Sequence, residues 1–255
     1  NLLSITATDM EVELVVDVNV KLEQTTRLTL PARKLLDICR ALPEGATLEF
    51  DIQNEKVLIK SGKSRFTLAT LPAQEYPVID ITDETTDFSV TQEKLIGLLA
   101  NTQFAMAQQD VRYYLNGLLL EVSSNNLKAV ATDGHRLAFD ETEIKTSTNK
   151  TKQIIVPRKG VTELMRLLQA GQDDVNIKVS KNHIQVRSGN LSFTSKLIDG
   201  KFPDYQRVIP EFSETVVIAG REELKNSLSR ASILSNEKYR GVRVVFNKNT
   251  LRILA

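Results

Sequence analysis

The sequence is poor in the residues that usually advertise chemistry. Among 255 residues there are one cysteine and two histidines. The lone Cys39 excludes an internal disulfide and suits a reducing compartment. With His135 and His183 as the only histidines, no zinc-ligand spacing can be written. Glycine and proline, 11 and 7 residues, are too few for a collagen-like or low-complexity chain. No apolar run approaches the roughly 18 residues that cross a bilayer, and Asn1 to Leu14 read as strand rather than as a signal peptide. Net charge is also nearly absent, since 33 basic residues face 32 acidic ones. The sum gives no sign of a basic nucleic-acid binder, although it hides local asymmetry. What remains is an ordinary soluble composition, 41% hydrophobic and 25% charged, with a length that allows one or two domains. A cytoplasmic protein is expected. A chain that starts without Met and ends on the apolar Leu251 to Ala255 reads as truncated at both ends.

Self-alignment supplies the first positive signal. Pro31 to Leu42 (PARKLLDICRAL) matches Pro157 to Leu168 (PRKGVTELMRLL) at a shift of 126 residues. Ser61-Gly62 recurs as Ser188-Gly189, Phe66-Thr67 as Phe193-Thr194, Tyr76-Pro77 as Phe202-Pro203, and Ala7-Thr8-Asp9 as Ala131-Thr132-Asp133. A third copy starts late, with Leu95, Leu99, Gly117 and Leu127 answered by Leu224, Leu228, Gly241 and Leu251. The period is domain-sized, too long for a solenoid. The chain therefore reads as a half, a whole and a half: residues 1–84, 85–213 and 214–255.

The whole copy predicts its own elements. Thr91-Gln92-Glu93 opens a helix with an apolar stripe at Leu95, Ile96, Leu98, Leu99, Phe104 and Met106. Gly117 to Val122 and Leu127 to Ala131 form a hairpin around a Ser-Ser-Asn-Asn turn. Pro157 starts a second helix with Val161, Leu164, Met165, Leu167 and Leu168 at helical spacing. Alternating strands follow over Val175 to Val179, His183 to Arg187 and Leu191 to Leu197. Each copy is thus expected to hold two helices and about eight antiparallel strands, an α+β fold.

Charge becomes informative helix by helix. Arg33, Lys34 and Arg40 outnumber Asp37 on one helix, and Arg158, Lys159 and Arg166 outnumber Glu163 on its counterpart. Both place cations near the N-terminus, where the macrodipole favours acids, so a shared external anion such as a phosphate backbone is indicated. A third helix carries Arg221, Lys225 and Arg230, offset by Glu222 and Glu223. The acidic loop from Asp80 to Asp87 balances these cations in the whole-chain sum.

Catalytic patterns fail one after another. Ser61-Gly62-Lys63-Ser64 resembles the tail of a P-loop, but Val57 stands where its first glycine belongs. Asp133 and His135 are only two residues apart, and no nucleophile elbow accompanies them. Asn149-Lys-Thr151 and Asn190-Leu-Ser192 match the glycosylation pattern, which means little in a cytosolic protein. No metal site and no cofactor are expected.

Asp110-Val-Arg-Tyr-Tyr-Leu-Asn-Gly117, Ala131-Thr-Asp-Gly-His-Arg-Leu137, Val156-Pro-Arg-Lys-Gly160, Phe202-Pro-Asp-Tyr205 and Leu234-Ser-Asn-Glu-Lys-Tyr-Arg-Gly241 closely resemble the bacterial sliding clamps, the beta subunits of DNA polymerase III. The resemblance runs along the whole chain. It implies a DNA clamp fold of three domain copies per subunit, two subunits closing into a homodimeric ring, and a non-catalytic role in processivity. By resemblance, residues 1–84 are the second half of clamp domain 1, 85–213 are domain 2, and 214–255 are the first half of domain 3. The implied DNA-facing residues are Arg33, Lys34, Arg40, Gln109, Tyr113, Tyr114, Arg158 and Lys159. A pocket for short apolar peptides from polymerases, the clamp loader and repair proteins is implied at Leu115, Thr132, Gly134, His135, Arg136, Leu137, Pro203, Arg207 and Val208. The implied subunit contact matches Arg65 and Phe66 on one side and Ile233 and Leu234 on the other, with Phe66 and Phe193 equally readable as core residues. The family's pocket is completed by C-terminal residues that this chain lacks, and a chain of this extent is expected to form no stable closed ring.

Overall fold

A computed structural model describes residues 2–21, 25–53, 55–81, 84–146, 151–168, 171–210, 216–236 and 241–255. They fall into two compact units, Asn1–Pro203 and Asp204–Ala255. Residues 82–83 of the acidic loop, 149–150 of the first glycosylation-like match and 237–240 of the Leu234 to Gly241 motif lie outside the described residues.

The first unit opens with strands β1 (Leu2–Thr8) and β2 (Val12–Asn19), helix α1 (Ala32–Ala41), and strands β3 (Glu49–Gln53), β4 (Lys56–Ser61) and β5 (Ser64–Ala69). It continues with β6 (Thr86–Thr91), α2 (Gln92–Thr102), β7 (Gly117–Ser123), β8 (Asn126–Thr132), β9 (Leu137–Glu143), β10 (Lys145–Thr146) and β11 (Lys152–Pro157). It closes with α3 (Arg158–Leu167), β12 (Asp174–Val179), β13 (His183–Ser188) and β14 (Leu191–Lys196). The second unit holds α4 (Arg221–Ser232) and the hairpin β15 (Arg243–Asn247) and β16 (Thr250–Leu254). The α+β class is as the sequence predicts, and the strand pairings among the described residues are antiparallel.

The repeat is visible in the elements. Helices α1 and α3 stand at the same 126-residue shift, β3-β4-β5 answer β12-β13-β14, and α2 with β7 and β8 answers α4 with β15 and β16. The first and second copies nevertheless form one unit, because β2 hydrogen-bonds to β14 with Leu14 opposite Phe193. That pairing produces a seven-stranded sheet ordered β1-β2-β14-β13-β12-β6-β10. The remaining strands of the unit make a four-stranded sheet, β11-β7-β8-β9, and a three-stranded sheet, β3-β4-β5.

The main core lies within the second copy. Thr91 caps α2 by accepting the Lys94 N–H at 3.4 Å, and the helix buries Leu95, Leu98 and Leu99. Helix α3 buries Val161 and Leu164. Leu118, Leu120 and Val122, alternate residues of β7, enter the same core, as do Ile177 and Phe193 of the larger sheet. Gly160 lets α3 start close against β14, since a Cβ there would sit 2.5 Å from the Ser195 hydroxyl. The first copy's core is smaller, with Ile38, Val57 and Ile59 buried and Phe66 and Leu68 packed against them.

One expected stripe residue is misplaced by the sequence reading. Helix α2 ends at Thr102, whose Oγ1 donates to the Leu98 carbonyl at 2.7 Å, and a 3-10 turn over Gln103–Ala105 follows. The tighter turn changes the angular step, so Ala105 and Met106 are buried while Phe104 points outward, 55% exposed.

Candidate functional site

The basic helices differ although their sequences match. On α1, Arg33, Lys34 and Arg40 are exposed, and among the described residues none has an ion-pair partner. On α3 the two leading cations are engaged inside the chain. Arg158 is half-buried and donates to the Met106 and Ala107 carbonyls at 3.1 and 3.4 Å. Lys159 Nζ lies 2.6 Å from Asp9 Oδ2 and 2.9 Å from Glu11 Oε2. The hydrogen bond that Lys159 donates to Asp9, then the one it donates to Glu11, raises its ammonium above the ordinary range. Arg166 pairs with Glu163 at 2.8 Å, and Glu222 draws Arg221 and Lys225 on α4.

Gln109, Tyr113 and Tyr114 share one loop. Asn116 closes it, accepting the Asp110 N–H and donating to the Asp110 carbonyl, both at 2.9 Å. Gln109 adopts a positive φ of 56°. A 3-10 turn over Tyr113–Asn116 sets the two tyrosine rings edge to face at 5.7 Å, with Tyr113 exposed and Tyr114 half-buried. Arg112 forks onto Asp110 and donates to the Asp133 carbonyl at 3.2 Å. Its side-chain hydrogen bond, followed by its amide, lowers the Asp110 carboxyl to about 2.

The neighbouring turn collects five of the pocket candidates. Thr132 Oγ1 donates to the Arg136 carbonyl at 2.7 Å and accepts the Gly134 N–H at 3.0 Å. Asp133 Oδ1 accepts the His135 and Arg136 amides at 2.9 and 3.0 Å. Gly134 sits at φ +86°, a conformation that costs glycine little. The Arg136 guanidinium reaches Asp133 Oδ2 at 3.1 Å and the Phe104 carbonyl at 2.8 Å, and lies 5.6 Å from the Phe104 ring centre. Burial would raise the Asp133 carboxyl, but the two amides and the guanidinium outweigh it and hold the group below its usual range. His135 is exposed at the tip, Leu137 begins β9, and Leu115 is buried at the end of the tyrosine loop. Pro203 is exposed at the end of the first unit. In the second unit Arg207 pairs with Asp204 at 2.8 Å and Val208 is exposed.

Three residues that organise this region were absent from the sequence reading of the site: Phe104, Arg112 and Asp133. The repeat could have revealed Asp133, because Thr8-Asp9 precedes it in register and makes the same turn.

The residues with an implied subunit contact are also divided. Arg65 and Phe66 lie on β5, one of the two edge strands of the three-stranded sheet. Phe66 pairs with Ile59 and is half-buried on the small core, so it serves packing as well as the edge. Its counterpart Phe193 is fully buried. Ile233 and Leu234, at the end of α4, are 77% and 86% exposed. Among the described residues no group of three or more His, Cys, Asp or Glu side chains is placed to hold a metal ion, and no helix is long and apolar enough to cross a membrane.

Family models for the DNA polymerase III beta subunit match in series: the N-terminal domain at residues 1–80, the central domain at 89–204 and the C-terminal domain at 206–255. The chain is 48% identical over 254 residues to the beta sliding clamp of Pseudomonas aeruginosa, covering 99% of this chain and 69% of that protein. It is 47% identical over 254 residues to the beta sliding clamp of Escherichia coli K12, with the same coverage. A crystal structure of the Pseudomonas aeruginosa DNA polymerase III subunit beta superposes with a TM-score of 0.93 at 48% identity, over 99% of this chain and 69% of that one. A structure of a sliding clamp from the same organism bound to griselimycin gives 0.91 at 48% identity, with equal coverage.

Proposed function

The chain belongs to the beta sliding clamp family, the beta subunits of bacterial DNA polymerase III, and from that premise we propose how its surfaces divide the work. It is a sliding DNA clamp, a non-catalytic subunit that gives the replicative polymerase its processivity. The observation that carries this is the end-to-end match, three consecutive domain models along one chain with a shared fold.

A clamp must hold duplex DNA without reading it. Cations facing phosphates supply a sequence-independent and salt-sensitive attraction that lets the protein slide. Arg33, Lys34 and Arg40 of α1 are the residues we assign to that attraction, because they are exposed and uncommitted. Gln109, Tyr113 and Tyr114 join them on the stapled loop, where the exposed Tyr113 ring offers a flat face. Arg158 and Lys159 contribute less, since their heads are occupied. Retention comes from enclosure, which keeps a docked polymerase at high local concentration near the primer end.

We assign the docking of short apolar peptides from polymerases, the clamp loader and repair proteins to the Thr132 to Leu137 turn with Leu115 and Pro203 in the first unit, and we keep Arg207 and Val208 of the second unit as separate candidates for the same role. A preformed turn with an apolar floor and a polar rim suits a short anchored peptide. The griselimycin complex of the Pseudomonas aeruginosa clamp is consistent with a ligand site in this family. Subunit contact falls to β5 and to Ile233 and Leu234. The pairing of β2 with β14 supports this, because β5 is the repeat counterpart of β14 and, among the described residues, has no strand on the edge where β14 has β2. We take 1–84, 85–213 and 214–255 as the clamp-domain boundaries and the cytoplasm as the site of action.

Two measurements test the reading. A clamp of the relatives' full length is loaded onto nicked circular DNA, and the circle is then cut; the protein slides off, whereas retention on the linear molecule sinks the ring. For the pocket, Leu137→Ala or Val208→Ala weakens a polymerase-derived apolar peptide by about 1–3 kcal/mol in calorimetry. Unchanged affinity in both variants removes these residues from the pocket.

A further inference from the structure

The β1–β2 turn and the β8–β9 turn are built alike. In the first, Thr8 Oγ1 donates to the Val12 carbonyl at 2.7 Å and accepts the Met10 N–H at 3.0 Å, while Asp9 Oδ1 accepts the Glu11 and Val12 amides at 3.1 and 3.0 Å. These are the bonds made by Thr132 and Asp133 in the second. The third residue is left-handed in both, Met10 at φ +74° and Gly134 at +86°. The turns differ at the other carboxylate oxygen. Asp133 Oδ2 is met from within its own turn by Arg136 at 3.1 Å. Val12 occupies the Arg136 position and offers no cation, and Asp9 Oδ2 is met instead by Lys159, at 2.6 Å, from α3 of the second copy.

Three further contacts fix that meeting. Lys159 also reaches Glu11 at 2.9 Å, and the Lys196 N–H donates to the Glu11 carbonyl at 2.9 Å, carrying the β2–β14 pairing into the turn. Gly160, next to Lys159, holds the start of α3 against Ser195 of β14. The Asp9 carboxyl is lowered to about 2, first by the hydrogen bond from Lys159 and then by the Val12 amide.

We propose that Lys159 is a joint-locking residue: an ammonium from the second copy completes a turn of the first and fastens the β1–β2 hairpin onto α3. The Thr132 to Arg136 turn meets its second carboxylate oxygen with its own Arg136. Lys159 thereby serves the protein's own architecture first, which leaves it less for an external anion, and two turns of one design meet their second carboxylate oxygen in different ways.

Amide hydrogen exchange on the full chain tests this in the wild type, Lys159→Met, Lys159→Arg, Asp9→Asn and the Asp9→Asn/Lys159→Met double variant. Asparagine keeps an oxygen for both turn amides and replaces the charged oxygen that meets Lys159 with an NH2 group. Lys159→Met is expected to speed exchange at the Glu11, Val12 and Lys196 amides by about two- to fivefold, as for ion pairs at partly exposed sites. The His135 and Arg136 amides stay as they were, and Lys159→Arg restores protection. The double variant is no worse than Lys159→Met alone, because both changes remove the same interaction. Unchanged exchange in Lys159→Met, additive losses in the double variant, or equal acceleration at His135 and Arg136 each overturn the proposal.

Discussion

The half copy at the start of the chain repeats α3 and β12-β13-β14 of the whole copy as α1 and β3-β4-β5, yet the two sets differ in what each has to pack against. Phe193 on β14 is sealed between the main core and β2, whereas Phe66 at the same place on β5 covers a core of three buried residues and borders an open edge. Arg33 and Lys159 occupy one phase of the two basic helices, and only Lys159 finds carboxylates. A repeated sequence therefore fixes a position in the fold without fixing its environment. Burial and ion pairing are properties of the neighbours, and in this chain the second copy has the first as a neighbour.

The comparison can be broken most sharply in the cores. Phe193→Ala is expected to cost about 3–5 kcal/mol in denaturant unfolding, through forfeited transfer energy and the cavity left behind. Phe66→Ala, at a half-buried site, costs about 1 kcal/mol. Equal losses would show that the two copies are packed alike after all.

A smaller effect separates the helices. Binding to a short DNA duplex across a salt series should show a dependence flattened by about 2 in log–log slope for the Arg33→Ala/Lys34→Ala double variant, because each phosphate left without its cation removes about one unit. Lys159→Ala leaves the slope near its starting value. If the two changes flatten it alike per charge, both helices face phosphate equally and the contrast between them disappears.

The finest difference lies in the two turns and is read by pH. The folded Asp9 carboxyl is depressed from 3.8 to about 2, so its stabilisation is fully present above about pH 4 and is lost as pH falls toward 2. Carboxyl NMR titration should place the Asp9 midpoint near 2 and move it up toward 3.8 in Lys159→Met. Asp133, paired with Arg136 in its own turn, keeps its midpoint in that variant. Movement of both would mean that Lys159 acts at long range instead of by direct pairing.

Much of the fold was legible because periodicity is a local property. The helix starts at Thr91 and Pro157, the hairpin around Ser123 to Asn126 and the late strands all fall where apolar spacing and turn chemistry put them. Phe104 was misread because the helical stripe was carried through a change to 3-10 geometry, which the Thr102 bond to Leu98 accompanies. The pocket turn was legible as a motif, but its organisation was not. Arg136 is held by Phe104, 32 residues earlier, and the Arg112 guanidinium reaches Asp133 across 21 residues, separations at which no spacing rule operates.

The sequence by itself determined the repeat, the order of its elements, the amphipathic faces of its helices and the family to which the chain belongs. Each follows from residue type and spacing over short stretches or from matching along the whole chain. The tertiary structure alone decided which cations are free. Arg33 and Lys159 follow a proline at the same helical position, and nothing local distinguishes them. Attraction between charges falls with distance and with solvent screening, so it depends on what folding brings near. The β1–β2 hairpin brings Asp9 to within 2.6 Å of Lys159, and among the described residues no carboxylate comes within ion-pair distance of Arg33.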